Sequence, residues 1–131
     1  MTKIFTLEHI GLAARDPGAL IEWYQRVLDA ELVWEISRSP MAALLNLGGT
    51  MIEIYSADTS SDLTANNKLA GWRHLALRVE SLDLTKDLLA DRGVTFSEQV
   101  KPAGGGGRVL FFNDPEGNLL HLVERLSVGF Q

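Results

Sequence analysis

The chain contains no cysteine. Neither a disulfide framework nor a thiolate metal site is therefore open to it, and any metal must be held by imidazole and carboxylate. No apolar run approaches the roughly 18 residues of a membrane span. The opening MTKIFTLEHIGL has one lysine, then Glu8 and His9 inside its apolar stretch, which is not the pattern of a signal peptide. Basic runs are also missing. The net charge of −5 is spread along the chain, the opposite of a nucleic-acid footprint. The expectation is a soluble, cytoplasmic globular domain with no nucleic-acid or membrane partner.

What is present suffices for a core: 131 residues, 46% of them hydrophobic, expected to form one compact unit. Residues 4–14 read as a strand with Leu7, His9, Gly11 and Ala13 on one face, and the two small residues leave room beside His9. Asp16-Pro17 starts a helix as N-cap and first-turn proline. Leu20, Trp23, Tyr24, Val27 and Leu28 form its apolar stripe, with Trp23 in the core. Strands are expected near 31–37, 41–47 and 50–56, with Gly48-Gly49 as a turn. This first module spans about 4–56.

Residues 57–70 are polar and aperiodic and read as a linker, after which the pattern restarts over about 71–126. His74 to Val79 is a strand, and Ser81 caps a helix whose Leu82, Leu84, Leu88 and Leu89 face the core. Gly93 closes that helix. Strands near 94–100, 108–112 and 118–124 follow. Gly104 to Gly107 lacks the phosphate-loop pattern and reads as a mobile flap. The chain is thus an α+β fold of two tandem βαβββ modules, with curved mixed sheets and helices outside.

The halves match residue by residue: His9 with His74, Asn46 with Asn113, and Gly49 to Glu53 with Gly117 to His121. In each strand a metal-competent side chain points one way and its aliphatic neighbours the other. The repeat superposes His9 on His74 and Glu53 on His121, and a pseudo-twofold would gather all four on the concave side. Glu53 left there without a cation or hydrogen bonds would be costly. Imidazole and carboxylate suit Zn, Ni, Co, Cu or Fe. Trp34 and Trp72 are expected to line the cavity, Trp72 on the same strand face as His74, and Arg108 to bind a substrate carboxylate. Arg73 lies on the opposite face. Glu124 falls three residues after His121, on the helix-facing side, pairing with Arg125 or Arg78; only a bulge would turn it inward. Open sheet edges suggest a homodimer.

The doubled pattern, with HIGL opening, IEIY in the middle, RHLAL restarting and FFNDPEGNLLHLVE closing, resembles the vicinal oxygen chelate superfamily. That superfamily takes in glyoxalase I, methylmalonyl-CoA epimerase, extradiol dioxygenases, and the fosfomycin- and bleomycin-resistance proteins. The resemblance covers essentially the whole chain and is nearest to the small glyoxalase-I-like proteins. It implies metal ligands at His9, Glu53, His74 and His121, the last in a place where the family usually has Glu. It also implies one divalent metal (Ni, Zn, Co, Fe or Mn), a homodimer, and lyase or isomerase chemistry. In that chemistry the metal chelates two vicinal oxygens of the substrate, and Glu53, or His121 while detached from the metal, abstracts a carbon-bound proton to give a stabilised enediolate. Bacterial glyoxalase I often holds glutathione with an Arg and an Asn at positions that are Ala13 and Ala57 here, which argues against glutathione. The same resemblance leaves two rivals. One is an Fe(II) extradiol-type ring-cleaving dioxygenase, the other a non-catalytic small-molecule binder of the bleomycin-resistance type.

Overall fold

A computed structural model describes residues 3–126. The chain divides into two compact units, the first ending at Ser60 and the second beginning at Ser61. The division falls inside the polar linker. Each unit is a βαβββ module, so the tandem α+β architecture read from the sequence is the observed one.

In the first unit, β1 (His9–Ala14), α1 (Pro17–Leu28), β2 (Glu31–Ile36), β3 (Ala42–Leu47) and β4 (Thr50–Ser56) give a sheet ordered β1-β4-β3-β2. The β1–β4 pair is parallel and the rest antiparallel. Asp16 caps α1 by accepting from the Ala19 N–H at 3.1 Å, with Pro17 in the first turn. The helix packs its Leu20, Ile21, Tyr24 and Val27 on the sheet, against the fully buried Ala14, Ala43, Leu45 and Ile54. Trp23 is only half-buried, its ring edge-on to Tyr24 with centroids 5.0 Å apart. The first strand is shorter than expected. Ile4, Phe5 and Leu7 precede it and are 81%, 82% and 72% exposed, so apolar character there does not reflect pairing.

The second unit repeats the plan with β5 (His74–Arg78), α2 (Leu82–Asp91), β6 (Lys101–Pro102), β7 (Arg108–Asn113) and β8 (Leu119–Glu124), ordered β5-β8-β7-β6. Ser81 caps α2, accepting from the Leu84 N–H at 3.2 Å, and Gly93 at φ 96° closes it. Leu82 and Leu89 are buried on the sheet, but Leu84 and Leu88 are exposed, contrary to expectation. At about 100° per residue, Leu84 lies about 200° round the helix from Leu82, so four leucines at these positions cannot share one face. The strand expected near 94–100 is also absent. Val94 is buried and Phe96 stacks against Phe112 at 5.6 Å, so side chains anchor this segment without a ladder. Pro102, with no N–H to donate, ends the short edge strand β6.

Candidate metal and substrate site

Each sheet has one face under its helix and one turned away from it, which is open in the first sheet and in the second has Leu119, His121 and Val123 buried along its β8 strand. On the open face of the first, His9 pairs with Met51, and Glu53, two residues on, pairs with Gly11. On the second, His74 pairs with Leu119, and His121, two residues on, pairs with Ala76. The two units therefore place their candidate ligands at the same register, diagonally across a parallel pair, beside a residue with little or no side chain. An asparagine braces the turn before each of these strands, by a different bond in each. Asn46 accepts from the Gly49 N–H at 2.9 Å before β4, and Asn113 donates to the Gly117 carbonyl at 3.2 Å before β8. Buried Asp114 fastens the second turn by accepting from the Glu116 and Asn118 N–H groups at 2.9 and 3.0 Å.

Within the first unit the structure puts His9 and Glu53 on one face of the sheet, and within the second it does the same for His74 and His121. In the second unit the His74 and His121 rings lie 4.8 Å apart, and Phe111 packs on both at 5.6 and 4.7 Å. Among the described residues no three His, Cys, Asp or Glu side chains gather into a metal-sized group. The chemistry of the donors nevertheless fits a metal. His9 Nδ1 meets Glu8 Oε1 at 2.9 Å, His74 Nδ1 meets Asn67 Oδ1 at 2.7 Å, and His121 Nδ1 meets the Leu122 carbonyl at 3.2 Å. All three partners are acceptors, so Nδ1 carries the proton and Nε2 is left with a lone pair, the arrangement metal-bound imidazoles adopt. Glu53 is half-buried and makes no hydrogen bond or ion pair with a described residue.

His121 is 7% exposed. Burial holds its pKa below the ordinary imidazole value, repulsion from His74 and Arg125 adds to this, and the bond to the Leu122 carbonyl opposes it. It is thus a neutral imidazole near pH 7, able to take a proton or a cation.

The expected substrate residues separate. Trp34 pairs with Leu44, which pairs with Glu53, so all three stand on one open face. Trp72 precedes β5 rather than lying on it, and it is 96% exposed among the described residues. Arg108 pairs with Glu124 on the helix side of the sheet, away from His121. Its Nε and Nη2 donate to Glu124 Oε1 at 3.1 and 3.0 Å, while Glu124 Oε2 accepts from the Leu82 N–H at 2.8 Å. Glu124 is thus on the face expected of it, but its partners are Arg108 and the start of α2, not Arg125 or Arg78. The glycine loop is not free either. Arg125 donates to the carbonyls of Gly104 and Gly106 and pins it to the end of β8. The sequence reading missed Phe111, Asn67 and Glu8. Phe111 was findable, since in Phe111-Phe112 alternation must send one ring to each face. Asn67 carries no signal in a segment rich in polar residues.

Comparison with known proteins agrees with this fold. Over 124 residues the chain is 27% identical to the uncharacterized protein YwkD of Bacillus subtilis (strain 168), covering 92% of this chain and 97% of that one. The fold is similar to that of FosX, a genomically encoded fosfomycin resistance protein from Listeria monocytogenes. The TM-score is 0.75 at 20% identity, covering 95% of this chain and 94% of that one. A mutant of FosX has been solved with Mn(II) and 1S,2S-dihydroxypropylphosphonic acid. A glyoxylase/bleomycin resistance protein/dioxygenase domain from Frankia sp. EAN1pec is similar at TM-score 0.74 and 24% identity, covering 95% of each chain. The family model matches residues 6–122, and with it the chain belongs to the Glyoxalase/Bleomycin resistance protein/Dioxygenase superfamily.

Proposed function

We propose that the chain is a divalent-metal-dependent, glyoxalase-I-like lyase or isomerase acting on a small substrate chelated through two vicinal oxygens. His9, Glu53, His74 and His121 are the residues that would hold the metal. The observation that carries this reading is that all three imidazoles have Nδ1 engaged by an acceptor while the Glu53 carboxylate makes no hydrogen bond or ion pair with a described residue. Such a donor set suits Ni, Zn, Co, Fe or Mn, and the Mn(II) bound to FosX supports a metal of this kind.

When bound, the metal would act as a Lewis acid on the two substrate oxygens and stabilise the negative charge of the enediolate. The side chains do the rest. Glu53, or His121 while detached from the metal, takes the carbon-bound proton, and a detached His121 is neutral, as a base at pH 7 must be. Trp34 gives the Glu53 face an apolar wall. Ala13 and Ala57 leave no polar grip for glutathione. The exposed edges β1, β2, β5 and β6 support association as a homodimer.

The test is metal stoichiometry by plasma mass spectrometry on untagged protein and on His121→Ala. About one Ni, Zn, Co, Fe or Mn per chain, reduced in the variant, is the expected result. Protein that is metal-free and refuses metal on reconstitution overturns it and leaves the small-molecule binder. Iron together with oxygen uptake on a catechol moves the assignment to the ring-cleaving dioxygenase.

A further inference from the structure

Three rows of side chains cross the face of the second sheet away from its helix, exposed along β5 and buried along β8. His74, Leu119 and Asn113 form the first, Ala76, His121 and Phe111 the second, and Arg78, Val123, Val109 and Lys101 the third. The imidazoles thus hold one end of the face and two cations stand in the row beyond them. Lys101 is matched by Glu98 at 2.7 Å, and its ammonium lies 5.7 Å from the Phe111 ring centre. Arg78 is different. It is exposed and makes no hydrogen bond or ion pair with a described residue. Arg108, the other strand arginine, is held by Glu124 on the far side of the sheet.

Arg78 also opens on a cleft of about 410 Å³ lined by Val79, Glu80 and Arg125. Arg125 is fixed there by the Gly104 and Gly106 carbonyls. Two arginines and one carboxylate residue, Glu80, therefore line this cleft. Strands about 4.8 Å apart, rising about 3.3 Å per residue, put the Cα atoms of Arg78 and His121 about 8 Å apart. A small bifunctional molecule spans that distance.

We propose that Arg78 anchors an oxyanion on the substrate, a carboxylate or phosphate-type group, so that the end to be transformed reaches His121 and His74. A guanidinium grips such a group through two parallel N–H donors, which a surface lysine does not reproduce. The substrate class is then a small acid carrying vicinal oxygens at its other end. This deepens the metal-dependent reading and rests on it for the reacting end, whereas the anion's own binding needs no metal.

The test uses the metal-free full-length protein, labelled with ¹⁵N and titrated with inorganic phosphate and with acetate at constant ionic strength made up with chloride. Saturable shifts of the Arg78 Nε–H and the His121 and Val123 amides are expected. The apparent affinity should fall at least about tenfold in Arg78→Met and less in Arg78→Lys. Arg38→Met, in the first unit, should leave it unchanged. Shifts that grow linearly and match those from chloride would mean a solvated arginine only and overturn the proposal. So would saturable shifts that survive in Arg78→Met. Because no metal is present, anion binding and metal binding fail or succeed separately.

Discussion

Asn67 Oδ1 lies 2.7 Å from His74 Nδ1, which makes a residue of the polar segment before β5 the fixed point for one of the candidate ligands. The bond selects the tautomer with its proton on Nδ1. Asn67→Leu should therefore leave His74 as a tautomer mixture, visible in the ¹⁵N shifts of the metal-free protein, and weaken metal binding about 10–100-fold. Asn67→Asp keeps an acceptor and should retain both. A tautomer unchanged in Asn67→Leu would remove Asn67 from this role.

Glu124 gives the fold a dependence on acid. Its carboxylate is held below the usual range by the Leu82 N–H first and by Arg108 second, so the folded state favours the ionised form. The resulting stability is fully present above the ordinary carboxylate pKa and is lost as pH falls through the depressed folded value. Thermal melts should show Glu124→Gln less stable than the parent at pH 7, with the two curves converging in strong acid. Parallel curves at every pH would show that the ionised carboxylate contributes nothing.

Gly107 should tolerate no side chain. Its φ is 98°, and a Cβ there would stand 2.0 Å from the Glu124 carbonyl oxygen. Gly107→Ala is expected to cost at least about 1–3 kcal/mol for the backbone conformation alone, before the clash is counted. Gly104→Ala, with nothing within 4 Å of its Cβ position, should be near neutral in the same urea titration.

The leucines of α2 divide sharply. Leu82→Ala empties a fully buried site and should cost about 2–5 kcal/mol. Leu84→Gln and Leu88→Gln change exposed positions and should stay within about 0.5 kcal/mol. Equal losses at Leu82 and Leu84 would mean that Leu84 is covered in solution.

Much of this was legible in the chain because strand alternation and repetition are local signals. His9, Glu53, His74 and His121 could be assigned to one kind of face from period two alone, and their shared register follows from the repeat. Glu124 was placed on the helix side by the same counting. What failed needed distance information. Whether Arg108 meets a substrate or Glu124 depends on the β7–β8 register, and whether Trp72 lies on a strand depends on where pairing begins. Leu84 and Leu88 were misread because a leucine-rich helix offers more apolar residues than one face can bury.

Each pair of candidate ligands rests on the longest-range pairing of its own unit. β2, β3 and β4 form a meander of near neighbours, as do β6, β7 and β8, but β1 must find β4 and β5 must find β8 across the whole module. Such closures come late in folding, since loop entropy opposes them until the intervening chain is ordered. A unit that has formed its helix and its meander holds neither pair. The ligands become neighbours only when the first strand zips onto the last. An ion bound to either pair would act as a clasp on the step most easily reversed.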